Sequence, residues 1–277
     1  MAGKLEGKVA FITGAARGQG RSHAVRLAQE GADIVATDVC SDLDTVDYPM
    51  ARADDLRETA SLVEKEGQRV IAREADVRDQ AALDAVAAEA VAEFGHIDIV
   101  AANAGAASYG FSWELTDEAW KELIDVMLTG AWHTVKAVTP AMIEAGRGGS
   151  VIITSSVAAM VGAARIAHYA AAKAGVGGLM RVLANELAPY GIRVNVVAPG
   201  NIETDLATND VTLRALNPNM ENPTREDVIP VLHSLHALPV GYLQPVDISN
   251  AVLWLASDEA RYVTGIVVPV DAGWMIK

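Results

Sequence analysis

The chain has 277 residues, of which 51% are hydrophobic and 21% charged, a composition that suits one large folded domain and excludes a disordered chain. Its formal net charge of −14 argues against nucleic acids and anionic membranes as general partners. The single cysteine, Cys40, excludes an internal disulfide, and no apolar run reaches membrane length without a charge. We therefore expect a cytoplasmic protein that has no membrane contact.

Short apolar runs alternate with longer segments of helical spacing along the whole chain. The apolar runs predict strands at Val9–Thr13, Ile34–Asp38, Val70–Ala75, Ile97–Ala101, Ser150–Thr154, Ile192–Val197 and Ile266–Val270. The other segments predict helices at Gly20–Glu30, Asp54–Glu66, Asp79–Phe94, Thr116–Ala145, Tyr169–Leu187 and Pro245–Ser257. Pro140 should bend the fourth helix. This alternation predicts one α/β domain over residues 1–277, with a doubly wound, seven-stranded parallel sheet and helices on both faces.

Two segments depart from this regular order. Residues 39–53 form an acidic, polar insert after the second strand, and residues 204–240 form a long stretch containing Pro and Asn after the sixth strand. Long loops within a compact domain are often functional. The second segment is therefore predicted to be a lid over a substrate.

The first strand leads directly into a glycine-rich turn. Its predicted binding residues are Gly14, Arg17, Gly18, Gln19 and Gly20. Glycines let the backbone turn tightly and approach a pyrophosphate, which then rests on the N-terminus of the next helix. An ordinary strand–helix turn can also be rich in glycine, but the order of strand, glycines and helix favours a dinucleotide site.

Acidic residues follow the next two strands. Asp38 ends the second strand, where a carboxylate can accept hydrogen bonds from the adenosine ribose and repel a 2′-phosphate, which favours NAD. Arg17 points the other way, because a basic residue in the glycine loop favours a phosphate. Asp76 can accept from an adenine amino group, and Asn103 and Gly105 follow the fourth strand beside the cofactor.

Tyr169 and Lys173 are four residues apart and share one helix face. A nearby ammonium should lower the pKa of the phenol, so that a phenolate can remove an alcohol proton while hydride leaves for a nicotinamide. In isolation such a pair is usually an ordinary surface pair. Here Ser155 and Ser156 follow the fifth strand, and either hydroxyl could hold the substrate oxygen; the spacing alone leaves both open.

Taken together, these residues and Pro199-Gly200 resemble the short-chain dehydrogenase/reductase family across the whole chain. The resemblance implies a Rossmann fold, an NAD cofactor and alcohol–ketone interconversion. It selects Ser156, thirteen residues before Tyr169, as the third catalytic residue. It also implies cofactor contacts at Asp76, Val77, Asn103, Pro199, Gly200, Ile202 and Thr204, with Tyr169 and Lys173 at the nicotinamide ribose.

One position departs from the family pattern. The family's fourth catalytic residue is an asparagine of the middle helix, which supports a helix bulge and a water leading to the lysine. Met127 occupies that position, in the run Val126-Met127-Leu128-Thr129-Gly130. A thioether cannot replace the hydrogen bonds of an amide. We therefore expect a slower or differently routed proton relay, and a nucleotide-binding protein of low turnover is the alternative function.

Within the family, the run from Thr13 to His23, the acidic insert and Trp132-His133-Thr134 resemble the carveol-dehydrogenase-like group. The resemblance implies tightly held NAD, cyclic terpenoid or other apolar secondary alcohols as substrates, and mycofactocin as a possible electron carrier. The Ala-rich helix after Tyr169 implies a homotetramer, since such helices pair subunits in the family.

The remaining candidate residues predict no further site. His233 and His236 are three residues apart but have no evident third ligand, so no metal site is predicted. Cys40 is interpreted as a packing residue. The aromatic side chains of Tyr109, Phe111 and Trp113 are equally consistent with a pocket wall and with ordinary packing.

Overall fold

The computed structural model describes residues 3–277. Its strands are β1 (Val9–Thr13), β2 (Asp33–Asp38), β3 (Val70–Glu74), β4 (Ile99–Ala102), β5 (Gly149–Thr154), β6 (Ile192–Pro199) and β7 (Val267–Val270). They form one sheet in the order β3-β2-β1-β4-β5-β6-β7, and all neighbours are parallel. The predicted seven-stranded Rossmann fold is confirmed, with strand bounds within two residues of those expected.

Helices connect these strands on both faces of the sheet. They are α1 (Gly18–Ala28), α2 (Ala53–Lys65), α3 (Gln80–Phe94), α4 (Asp117–Ile124), α5 (Gly130–Ala145), α6 (Ala167–Leu187), α7 (Asp205–Thr208), α8 (Asp210–Leu216), α9 (Arg225–Leu235) and α10 (Pro245–Ala256). Single 3-10 turns follow at Val157–Ala159, Ala188–Tyr190, Asp258–Ala260 and Trp274–Ile276. No helix among residues 3–277 combines the length and apolarity needed to cross a membrane.

Successive residues of each strand point to opposite faces, and this alternation divides the core into two clusters. Phe11 packs with Leu83 and Val176 on the face covered by α3, α5 and α6. Its neighbour Ile12 packs with Leu27 and Ile248 on the face covered by α1, α2 and α10. Because both faces of the central strands are buried, β1 and β4 are apolar along nearly their whole length rather than alternating with polar residues.

The helix predicted over Thr116–Ala145 is divided, and the division is not at Pro140. A π-helical segment at Asp125–Thr129 separates α4 from α5, and the Gly130 amide donates to the carbonyl of Asp125 across five residues. Pro140 lies inside α5. The bulge coincides with a close approach to the loop after β3, since a Cβ on Gly130 would lie 2.5 Å from Val77 Cγ2.

The predicted lid segment is largely helical rather than a loop. It contains α7, α8 and α9, and Leu213, Val228 and Leu232 form a small apolar cluster between the last two helices. Asn209 accepts from the Thr212 amide and so caps α8. Thr224 and Asp227 form a capping box at the start of α9.

Candidate active site

A cavity of about 980 Å³ opens at the carboxyl ends of the strands. Its volume is at the upper end of the range for small-molecule sites, about 300–1,000 Å³. Every residue that the sequence predicts for cofactor binding or catalysis lines this cavity. Open parallel α/β sheets generally bind ligands at this edge, where the connections from two neighbouring strands lead to opposite faces of the sheet. The cavity has that position.

The glycine loop between β1 and α1 has the backbone that a pyrophosphate requires. Gly14 has a φ of 66°, and a Cβ on it would lie 2.8 Å from Ala104 Cα. A Cβ on Gly20 would lie 2.0 Å from the Gly14 carbonyl oxygen. The first turn of α1 has no acidic residue and no side-chain cap, so its amides can receive an anion. Gln19 Oε1 is also buried without a partner among residues 3–277. The loop therefore fits a dinucleotide.

We expect Gly20→Ala to lower the free energy of unfolding by about 1–3 kcal/mol, because the new methyl group meets backbone that cannot move aside. Urea denaturation measures the change. Gly162→Ala is the matched control, because a Cβ there meets nothing within 4 Å, and it should change stability by less than about 0.5 kcal/mol. Equal stability of the two variants would contradict the tight-turn argument.

Asp38 is held in a fixed orientation at the end of β2. Its Oδ2 accepts from the Ala16 amide at 3.0 Å, and its Oδ1 accepts from the Cys40 amide at 3.3 Å. Burial raises the pKa of Asp38, while these two amides act in the opposite direction. The carboxylate is thus anchored to the glycine loop and lines the cavity, where a ribose can reach its remaining lone pairs.

Arg17 is engaged with the protein rather than left free for a phosphate. Its guanidinium forms an ion pair with Asp205 at 3.1 Å and donates to the Pro49 carbonyl at 2.8 Å. The residue therefore joins the glycine loop to the insert and to the start of the 204–240 segment. Because Asp205 offsets its charge, Arg17 does little to favour a 2′-phosphate, which removes the conflict with Asp38.

At the end of β3, Asp76 is paired with Arg78 at 2.7 Å. Arg78 also contacts the buried Glu122 at 2.9 Å. Glu122 in turn accepts from the amide and the hydroxyl of Thr45 in the insert, at 2.8 and 2.7 Å. This network fixes the 39–53 insert against α4, next to the position predicted for adenine.

Asn103 braces the sheet edge with its side chain. Its Nδ2 donates to the Thr13 carbonyl at 3.2 Å, and its Oδ1 accepts from the Thr154 hydroxyl at 3.2 Å. The side chain of Asn103 is therefore used in hydrogen bonds within the protein, and only the surface around the end of β4 remains available to a cofactor. A Cβ on nearby Gly105 would lie 3.6 Å from Lys173 Nζ and 3.7 Å from Met127 Sδ, so both side chains converge on this backbone position.

The Pro199-Gly200 turn connects β6 to the 204–240 segment. A Cβ on Gly200 would lie 2.9 Å from Asp271 Cα, so a side chain there would collide with the backbone just after β7. Ile202 is buried, and a Cβ on Gly18 would lie 3.2 Å from Thr204 Cγ2. The turn thus lies against the glycine loop. Its predicted contacts to a carboxamide remain predictions.

The two serines after β5 have different partners. Ser155 Oγ donates to the Lys173 carbonyl at 2.7 Å and is therefore used within the protein. Ser156 Oγ accepts from the Ala158 amide at 3.1 Å, so its own hydroxyl proton is not used there, and its side chain acts to lower the pKa of the neighbouring Tyr169 phenol. The geometry thus favours Ser156, rather than Ser155, as the serine beside the reacting oxygen.

At the start of α6, Lys173 is buried and Tyr169 is partly buried, and desolvation affects their pKa values in opposite directions. It lowers the pKa of Lys173 to about 8, so the ammonium persists at neutral pH. It raises the pKa of Tyr169 to about 12, although the Ser156 side chain opposes this change. The lysine was expected to lower the phenol's pKa, but desolvation is the largest influence on it. Lys173 Nζ donates instead to the Thr154 carbonyl at 2.7 Å and lies 5.9 Å from the centroid of the Tyr169 ring.

Met127 lies in the π-helical segment and is buried, with 1% of its surface exposed. The bulge is therefore present without an asparagine at this position. The sulfur approaches the same Gly105 backbone as the Lys173 ammonium. A thioether offers only a weak acceptor there, where an amide would offer both donors and acceptors.

Comparison with known proteins identifies the family to which a chain with this site belongs. The short chain dehydrogenase family model matches residues 8–214. The chain belongs to the short-chain dehydrogenase/reductase family. It is therefore an oxidoreductase, as the sequence predicted, and the match extends from the residue before β1 into α8.

Several relatives of this short-chain dehydrogenase cover nearly its whole length. It is 50% identical over 275 residues to (-)-trans-carveol dehydrogenase of Rhodococcus erythropolis, covering 99% of each chain. A carveol dehydrogenase from Mycobacterium avium, solved in complex with NAD, has a TM-score of 0.98 at 50% identity and covers 99% of this chain and 100% of its own. A short chain dehydrogenase from Mycobacterium paratuberculosis, solved bound to NAD, has a TM-score of 0.92 at 45% identity, with 99% and 100% coverage. The predicted resemblance to the carveol-dehydrogenase-like group is confirmed.

The cavity of this dehydrogenase also contains residues that the sequence did not predict there, or whose role it did not decide. Tyr48, from the insert, reaches the cavity and accepts from the Ala107 amide at 3.2 Å. Tyr109, left open between pocket and packing, lines the cavity and donates to Thr212 of α8 at 3.1 Å. Trp274 enters from the C-terminal turn. No local sequence motif indicates that Tyr48 or Trp274 lies in the cavity, because each is brought there by a segment distant in sequence.

Proposed function

We propose that this short-chain dehydrogenase uses NAD to interconvert an apolar secondary alcohol and its ketone, with Ser156, Tyr169 and Lys173 as its catalytic residues. The observation that supports the proposal most directly is the placement of the Ser156 and Tyr169 hydroxyls in one cavity with the glycine loop and Asp38. The NAD-bound relatives support the cofactor.

The chemistry follows from the roles these side chains can fill. Bound NAD would supply the hydride acceptor and a positive charge that favours phenolate. Ser156 would hold the alcohol oxygen, and the Tyr169 oxygen would take its proton as the C–H bond gives up hydride. Lys173, held by the Thr154 carbonyl, would keep a positive charge beside the phenol and bind ribose hydroxyls. In the reverse direction the phenol returns the proton to the ketone oxygen.

The pH dependence of alcohol oxidation provides a test of the lysine. Oxidation needs phenolate, so kcat/KM should rise with pH along a limb that reports the coupled Tyr169–Lys173 pair. Removing the cation in Lys173→Met should move this limb to higher pH by about one to three pH units, because an opposite charge favours the ionised phenol. If kcat/KM of the variant rose at the same pH as in the wild type, Lys173 would not be the group that stabilises the phenolate, whatever its effect on the absolute rate.

The cavity walls favour an apolar ring as the substrate. Much of the lining consists of apolar side chains, namely those of Leu43, Met50, Val126, Leu206, Leu216, Leu235, Phe111 and Trp274. The similarity to carveol dehydrogenases adds cyclic terpenols as candidates. The α7–α9 segment would act as the lid, since Tyr109 joins it to the loop after β4.

Reduced-nicotinamide absorbance tests this function. We expect wild-type enzyme supplied with NAD to reduce it with carveol and other cyclic secondary alcohols, and to do so more slowly with small linear ones. Bound cofactor without any absorbance change would contradict turnover by free NAD exchange. Adding an artificial electron acceptor then separates two remaining cases. Acceptor reduction would indicate a carrier-dependent enzyme, of the kind that mycofactocin serves, and its absence would indicate a sensor.

The alternative function, an NAD-binding protein of low turnover, rests on Met127. We expect Met127→Asn to speed the chemical step about two- to tenfold in single-turnover measurements, as the restoration of one or two hydrogen bonds would allow. Met127→Leu is the matched control and should leave the rate unchanged, because it stays apolar at similar volume. An unchanged rate in the asparagine variant would show that the methionine does not limit proton relay.

The proposal also covers assembly and location. The small residues of α6 would let two subunits approach closely, giving a homotetramer that sedimentation can detect. We also propose a single domain over residues 1–277 and a cytoplasmic location, where a free cysteine such as Cys40 stays reduced.

A further inference from the structure

Among the charged residues that line the cavity, Arg165 differs in that its side chain has no hydrogen-bonding or ionic partner within residues 3–277. Arg17 and Asp205 pair with each other, and Asp76 pairs with Arg78. Asp38 accepts from two backbone amides, and Lys173 donates to the Thr154 carbonyl. Arg165 Nε is buried and makes no hydrogen bond within residues 3–277. An Arg that is partly buried without a partner leaves strong directional donors unused.

The backbone holds Arg165 at this position. Its φ of 70° is in the left-handed region, which a side chain other than glycine rarely adopts. Its carbonyl accepts from the Gly110 amide at 2.9 Å, and Ile166 pairs with Gly110 in an isolated parallel bridge. Such backbone strain persists where the surroundings impose it, and it is concentrated at functional sites. The residue just before α6 is thus fixed to the loop after β4.

The side chain of Arg165 lies on the substrate side of the cavity. Its guanidinium carbon is 5.7 Å from the centroid of the Phe111 ring. Its charge also reaches Tyr109, whose pKa it acts to lower against the larger effect of burial. Phe111 is 41% exposed and stacks on the exposed Trp113, so this is the open end of the cavity. The far side of the cavity carries the glycine loop and Asp38.

We propose that Arg165 binds a carboxylate on the substrate, so that the preferred substrate is a secondary alcohol with an apolar ring and an acidic group remote from the reacting carbon. This inference rests on the proposed function, because it assigns the substrate class of the same site. A guanidinium presents paired donors that match a carboxylate in geometry and charge. A phosphate carries more charge than one arginine offsets, and the described cavity offers no second unpaired cation on that side.

Matched alcohols test the proposal. The acidic probe is 4-hydroxycyclohexanecarboxylate, and the neutral probe of similar shape is 4-methylcyclohexanol. We expect wild-type kcat/KM to favour the acid, and Arg165→Met to lower kcat/KM for the acid by about ten- to a hundredfold while leaving the neutral alcohol nearly unchanged. Arg261→Met, which makes the same charge change outside the cavity lining, should alter neither. An equal or higher wild-type rate with the neutral alcohol, or no selective loss in Arg165→Met, would overturn the inference.

A binding arm keeps this test independent of turnover. Calorimetry on NAD-loaded protein compares 4-oxocyclohexanecarboxylate with 4-methylcyclohexanone in the wild type and in Arg165→Met. Tighter binding of the keto acid, lost selectively in the variant, supports the carboxylate site even if neither alcohol is oxidised. Equal affinities in the wild type overturn it. If both alcohols are inert while binding is selective, the proposed function fails and the anion site stands.

Discussion

Replacing Tyr169 with Phe should lower kcat for alcohol oxidation by about 10²–10⁴-fold, the usual contribution of a general acid or base. The reason is that the phenol oxygen is the only group that the account assigns to take the alcohol proton. The ring itself is retained, so the packing of α6 against the sheet should persist. Steady-state rates with a cyclic alcohol measure the effect, and NAD titration by fluorescence should give nearly the wild-type affinity.

The cavity supplies matched controls for this variant. Tyr48 and Tyr109 also line the cavity, and burial also raises their pKa values, that of Tyr48 to about 12. Tyr48→Phe loses one hydrogen bond to a backbone amide, and Tyr109→Phe loses one to Thr212. Each should cost less than about tenfold in kcat. If either control matched the loss in Tyr169→Phe, the proton would have a different acceptor.

The second large effect is expected at Asp38. Asp38→Asn should raise KM for NAD about ten- to a hundredfold, because hydrogen bonds to a charged acceptor contribute about 1.5–3 kcal/mol. The same change should narrow the preference for NAD over NADP, since the 2′-phosphate no longer meets a carboxylate. Initial rates with each cofactor give both ratios.

Asp47→Asn is the control for this change. Asp47 is exposed in the same insert, so the variant alters the net charge equally without altering the ribose site. Both ratios should stay at their wild-type values. The thermal midpoint of Asp38→Asn should also be measured, since an amide cannot accept from both Ala16 and Cys40 through its two ends. An unchanged NAD preference in a folded Asp38→Asn protein would assign cofactor choice to other residues.

The arrangement of the sheet and most of the site could be predicted because their signals are local. Buried parallel strands are continuous apolar runs, so β1 and β4 can be identified without knowing their neighbours. The glycine loop, Asp38 and the Tyr169–Lys173 pair each follow a strand or lie on one helix. Once parallel strands are aligned, their carboxyl ends meet at one edge, which brings these residues together.

The segments that the sequence misassigned depend on contacts between distant residues. The break at Asp125–Thr129 coincides with the approach of Gly130 to Val77, whereas Pro140, the obvious breaker, lies within α5. The helices of the 204–240 segment had usable signals, because Thr224 and Asp227 form a capping box, but frequent Pro and Asn obscured them.

The direction of the pKa shift of Tyr169 also could not be predicted from the sequence. The spacing of Tyr169 and Lys173 indicates proximity but does not reveal that the ammonium is directed at the Thr154 carbonyl. Nor does it reveal how far the phenol is removed from water, which is the larger influence on its pKa. Tyr48 and Trp274 reach the cavity only through tertiary folding, and no pattern near either residue indicates it.

The central claim is that Tyr169 and Ser156 hold the reacting oxygen next to bound NAD. A crystal structure of the wild-type protein with NAD and carvone, the ketone of carveol, tests it most directly. We expect a ketone oxygen within about 3 Å of both hydroxyls, a pyrophosphate at the N-terminus of α1, and ribose hydroxyls at Asp38 and Lys173. A ketone held elsewhere in the cavity, or an oxygen contacting Tyr48 or Tyr109 instead of Tyr169, would contradict it.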